Sequence, residues 1–258
     1  MGRRLDRVLV AAVVISLAAG PVSGQRRAAN PPAYEPPRTA DGKPDLQGIW
    51  QVLNAAAWDI QDHPARPGVP AGQAVVEGND VPYQEWAAAK KKENFEKRLT
   101  ADPITKCYLP GVPRITYIPY PFQIFQTGDV ALFIYEYDHA VRTIYMNRPH
   151  LAGPIDFWMG VSRGHWDGDT LVVDSIDFND QTWFDAAGNF HSDALHVVER
   201  YTRTGADHIA YDVTIEDPKV FTRPWKMSMT LYRRQDKNAQ ILDYECNALE
   251  EEAAGRLK

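Results

Sequence analysis

The sequence predicts an all-β domain, an antiparallel up-and-down barrel with one helix and an extended N-terminal linker. Three observations carry the prediction. From residue 113 onward, runs rich in β-branched and aromatic residues recur about ten times, the pattern of an all-β sandwich or barrel. Nearly all of these runs are joined by short turns rich in Asp, Gly and Asn. No stretch alternates strand with helix, as a parallel sheet would require. Closure into a barrel removes the exposed edges that so long a meander would otherwise present.

At the N-terminus, Arg3, Arg4 and Arg7 precede an apolar run over 8–19 and the small residues Val22, Ser23 and Gly24, the order of an export signal. Residues 1–24 are set apart from the fold on that pattern. The run is shorter than the roughly 20 residues of a membrane span, and Pro21 follows it closely. A periplasmic or secreted protein with no stable span after signal removal is expected. Residues 25–45, with Pro31, Pro32, Pro36, Pro37 and Pro44, read as an extended linker, because proline removes donors and blocks helix. Residues 46–258 then suit one β domain. Hydrophobic residues at 44% and aromatics at 11% support a real core. A net charge of −6 with interspersed signs provides no basic patch, which argues against nucleic acid as a partner.

Order begins at 46–52, which contains Gly48-Ile49-Trp50. This resembles the Gly-x-Trp on the first strand of lipocalins and the wider calycin superfamily. The resemblance implies an up-and-down barrel with the Trp packed across its closed end, and a small hydrophobic or aromatic ligand in the barrel cavity. Residues 54–81 are rich in Pro, Gly and Ala without a period and read as a long surface loop. A helix is predicted over 82–98, with Asn79 or Asp80 as cap and Pro82 at an early position. Its apolar stripe, Trp86, Ala89 or Lys90, and Phe95, is thin. The charged remainder reads as a solvated face or, alternatively, a lid over a barrel mouth.

The strands follow in order. Residues 115–126 carry prolines that suit an edge or bent strand. Runs 130–137 and 141–146 meet at Asp138-His139-Ala140, and runs 158–166 and 170–178 meet at Asp167-Gly168-Asp169, a strong hairpin signal. Runs 195–203 and 208–216 meet at Thr204-Gly205-Ala206-Asp207, and runs 226–234 and 240–246 at Asp236-Lys237-Asn238. Cys107 and Cys246 are the only cysteines. Export permits a disulfide between them, and two buried free thiols are the competing reading.

The densest reactive chemistry lies in the polar loop over 179–196, with His191, Asp193 and His196. With His150 or Glu136 these could supply metal ligands, but the spacing is not that of a helical His-Glu-x-x-His motif and no cysteine pair supports zinc. No metal and no cofactor are expected. Histidine exchanges protons near neutral pH and a carboxylate can orient it, so Asp193, Glu136, Asp174 and Glu199 are candidate partners. Tyr135 or Arg142 could stabilise a developing oxyanion. Each histidine could equally make one structural hydrogen bond. On the strand after the loop, His196, Val198 and Arg200 share one face, while Leu195, Val197, Glu199 and Tyr201 share the other. Which face points inward stays open. His63, His139, His165 and His208 read as exposed loop or turn residues. Gly160-Val-Ser162-Arg-Gly164 has the letters of a nucleophile elbow but lies within a predicted strand. Trp158, Trp183, Phe184, Trp225, Tyr117 and Tyr120 either line a ligand pocket, with Arg142 and Arg200, or pack as core and rim. Two functional readings result: an exported lipocalin-like protein binding a small hydrophobic or aromatic molecule, and a metal-independent acid–base enzyme of the lyase, isomerase, hydratase or hydrolase type.

Overall fold

Nine strands close on themselves in the computed structural model, which describes residues 34–151, 153, 155–247 and 255. The export-signal stretch and the first part of the linker lie outside the described residues. The strands are β1 (Gly48–Val52), β2 (Phe122–Gln126), β3 (Val130–Tyr135), β4 (Val141–Met146), β5 (Val161–Asp167), β6 (Thr170–Ile176), β7 (His196–Gly205), β8 (His208–Glu216) and β9 (Trp225–Arg233). Each pairs with the next in sequence, and β1 closes on β9 with Trp50 opposite Arg233. Helix α1 spans Glu85–Ala101 and a single helical turn, α2, spans Arg114–Tyr117. The expected all-β barrel with one substantial helix is therefore borne out.

Four details differ from the sequence reading. β4 and β5 run parallel, with Ile144 opposite Ser162 and Met146 opposite Gly164. A tight turn reverses the chain, whereas a parallel neighbour needs a connection of a dozen or more residues; residues 147–160 supply it. Residues 240–246 form no strand. Tyr244 instead makes one parallel bridge to Tyr137 beside the β3–β4 hairpin, where the Cys107–Cys246 disulfide holds this segment. Residues 114–117 turn helically rather than extend, and pairing starts at Phe122, just past Pro119 and Pro121. The helix starts three residues later than expected, with Trp86 52% exposed, so its stripe holds little of it.

Alternation along the strands sends one face inward. Phe122, Phe133, Tyr135, Val173, Val197, Tyr201, Tyr211 and Leu231 are buried there. Trp50 is fully buried near the end where β1 begins and β9 finishes, with the Arg233 guanidinium 4.4 Å over its ring. Gly48 makes this approach feasible, since a Cβ there would fall 2.1 Å from Arg233 Nη1, and its φ of +137° suits glycine. The described part of the linker reaches the same end, where Arg38 grips Asp169 of the β5–β6 turn through two hydrogen bonds of 2.7 and 2.8 Å. The opposite end is plugged by α2 and the loop over 177–195. Tyr117 donates its hydroxyl to the Phe184 carbonyl at 2.7 Å, and the Phe184 ring packs on Phe221 and Trp225.

Candidate functional site

Glu199, the acid on an apolar face, resolves the question of which side of β7 points inward. Its carboxylate sits in the lumen, paired with both terminal nitrogens of Arg142, and accepts from the hydroxyls of Tyr201 at 2.8 Å and Tyr211 at 2.7 Å. Arg142 also donates to Ser162 at 2.9 Å and Ser175 at 2.8 Å. Burial opposes the Arg142 charge, and the Glu199 carboxylate outweighs it, so the guanidinium stays protonated. Glu199, Tyr201, Tyr211 and Ser175 are each 0% exposed. This layer fills the middle of the barrel with side chains, one of the two outcomes open to a barrel of this size. Ser162, the serine of the elbow-like letters, is consumed in this network.

The loop over 179–195 serves as the plug. His191 is buried, accepting from the Thr182 hydroxyl at 2.6 Å and donating from Nδ1 to the Ser192 carbonyl at 2.9 Å. Burial lowers its pKa and keeps the ring neutral. Asp193, two residues on, is exposed and ion-paired with Lys219. The structure thus separates His191, Asp193 and His196 rather than gathering them. The loop's hub is Asp185, which accepts from the backbone of Ile60, Ala187 and Asn189 and from the Asn189 side chain. Burial, then the charge of Asp59, pushes this carboxyl up to about 6, against hydrogen bonds that favour the charged form.

On the outer wall two of the predicted histidines do meet. Asp174 of β6 receives His150 Nε2 at 2.7 Å and His196 Nε2 at 2.9 Å, and His196 Nδ1 lies 3.5 Å from Glu216. Both Nε2 atoms are spent on one carboxylate, His196 Nδ1 faces a second, and His150 Nδ1 is buried with no partner among the described residues. Three of the four ring nitrogens therefore face a carboxylate. What the cluster does is pin the 147–160 connection to the barrel. The Asp174 hydrogen bond raises the His196 pKa, and the His196 hydrogen bond lowers that of Asp174. The histidine contribution to stability is full below its unfolded value of about 6.5 and is lost as pH rises through the raised folded value. The Asp174 contribution is lost only in acid. In urea unfolding, the wild type should lose stability as pH rises above about 6.5, the unfolded histidine value, and His196→Gln should flatten that decline; identical slopes would contradict the pairing.

The remaining predicted residues scatter. Tyr135 points into the lumen beside Arg142, and burial raises its pKa. Glu136 accepts from the Leu242 backbone at 3.0 Å and so anchors the C-terminal segment. Trp158 packs on Tyr108 with ring centroids 4.9 Å apart, Trp183 bridges to Phe190, and Arg200 pairs with Asp167 at the surface. His139, His165 and His208 are exposed, whereas His63 is buried, donating to the Gln61 carbonyl at 2.8 Å.

At the plugged end, several segments line a half-open cavity of about 240 Å³, bounded by Trp58, Asp102, Arg114, Ile118, Tyr120 and Tyr137, among others. Arg114 and Asp102, each 3% exposed, join through two hydrogen bonds of 2.7 Å. Arg114 Nε has no partner among the described residues. Tyr120 stacks against Tyr137 and Tyr244 at 5.6 and 4.5 Å, so the disulfide-held segment backs the wall. Burial pushes the Tyr120 and Tyr137 phenols up, keeping them neutral. The wall is aromatic and apolar, with one internally neutralised ion pair. Trp58 and Arg114 were not marked by the sequence reading; the available signal was a lone arginine inside the apolar stretch over 112–118. No family model, no curated protein and no solved structure matches the chain.

Proposed function

We propose that the protein is an exported, calycin-like binding protein that holds a small aromatic or apolar molecule at the plugged end of its barrel. The observation that carries this is the cavity of about 240 Å³ between Trp58, Tyr120 and Tyr137. Ligand sites are concave, mostly apolar and furnished with few polar groups, and this wall has that composition. Its volume suits one or two fused rings. The filled middle layer favours this end over the lumen. The acid–base reading has less support, because the histidine nitrogens on Asp174 are committed within the protein.

Calorimetric titration with 2-naphthol is the test, with Ile104→Trp as the blocked form. Ile104 lines the cavity and is only partly buried, so a larger ring can enter the space without rebuilding the core. Saturable binding by the wild type and a loss of about tenfold or more in Ile104→Trp are expected. Equal affinity in both would remove the cavity from consideration.

A further inference from the structure

We propose that the bound molecule carries an anionic group, a carboxylate or sulfonate, received by Arg66 and Arg98 in a second hollow; this rests on the ligand reading above. The hollow, about 270 Å³, shares Trp58, Asp102 and Ala186 with the first cavity and adds Arg66, Phe95, Arg98 and Leu99. A ring system seated against Trp58 therefore has cationic side chains in the adjoining hollow.

The charge arrangement calls for such a group. Three cations surround the single Phe95 ring: Arg98 at 4.2 Å, Arg66 at 5.1 Å and Lys91 at 5.6 Å. One ring stabilises a single cation only weakly at an exposed site, and three like charges repel. Arg66 has one distant carboxylate, Asp59 at 3.8 Å, and neither Lys91 nor Arg98 has an acidic partner among the described residues. Asp102, the acid that lines both hollows, is committed to Arg114 by both oxygens, and Glu93 is paired with Lys90 and Lys97. In a chain of net charge −6 this cluster is locally opposite in sign.

Free donors are present as well. Arg98 spends Nη1 on the Phe95 carbonyl at 2.7 Å, and Arg66 Nε has no partner among the described residues. Arginine's planar fork matches a carboxylate or sulfonate, which a compact ammonium does not. Arg98 also lies in the last turn of α1, where a cation complements the helix dipole. That role accounts for Arg98 but not for Arg66, which comes from the loop over 54–81.

The experiment compares naphthalene-2-sulfonate with 2-naphthol by calorimetry at low salt, on wild type and on Arg66→Gln/Arg98→Gln, with thermal unfolding as the check on folding. The wild type should bind the sulfonate about tenfold or more tightly than the alcohol, and the double variant should lose that preference. Arg98→Gln alone should lose part of it, which keeps the test valid should the double variant fold poorly. Equal affinity of wild type for the two probes, or a preference that survives in the variants, overturns the anionic-group inference while leaving the cavity reading intact. Failure of both probes to bind the wild type overturns both.

Discussion

Replacing Glu199 with leucine is expected to cost about 3–5 kcal/mol of folding stability, read from the urea midpoint and slope. The reason is what remains behind. Arg142, 3% exposed, would keep its charge in the middle of the barrel without a counterion, and the Tyr201 and Tyr211 hydroxyls would lose their acceptor. Removing one partner of a buried pair leaves the full desolvation penalty of the other. The double variant Arg142→Met/Glu199→Leu should recover most of that loss, because apolar groups of similar volume can replace a buried pair at little net cost. A double variant no more stable than Glu199→Leu would show that the layer contributes through shape rather than charge.

Loss of the disulfide should have the next largest effect. Cys107 and Cys246 are 139 residues apart in sequence, so the bridge removes much freedom from the unfolded chain. Chain entropy places the benefit near 5 kcal/mol, and removing native disulfides typically costs about 2–5 kcal/mol. Cys107→Ser/Cys246→Ser should therefore unfold at clearly lower urea. It should also bind 2-naphthol more weakly, since the bridged segment places Tyr244 behind Tyr120 and Tyr137. An unchanged midpoint would mean that the C-terminal segment is held by its other contacts, Asp138 to Tyr244 and Glu136 to Leu242.

Local chemistry made the hairpins legible. Asp167-Gly168-Asp169 joins β5 to β6 with Gly168 at φ +57°, and Asp138 and His139 both turn at φ +51° between β3 and β4. The parallel placement of β5 was not legible, because it depends on where a long connection lands rather than on any turn. The sequence leaves open which face of β7 points inward, because Arg142, the partner of Glu199, lies 57 residues away on another strand. The sequence singles out His150 and His196 and offers Asp174 as one of four candidate carboxylates, and the choice among the four follows only from β6 lying beside β7, with Asp174 opposite Val198. The end cavity was least visible of all. Its wall draws on residues near 58, 102, 114–120, 137 and 186, and no local pattern links segments so far apart.

The central claim, that the barrel is filled at its middle and binds at its plugged end, is tested most directly by methyl chemical shifts during a 2-naphthol titration. Ile104 and Ile118, at the cavity wall, should shift and saturate together, while Val173, Val197 and Ile209 in the lumen stay in place. Shifts confined to the lumen methyls, with Ile104 and Ile118 unmoved, would contradict it.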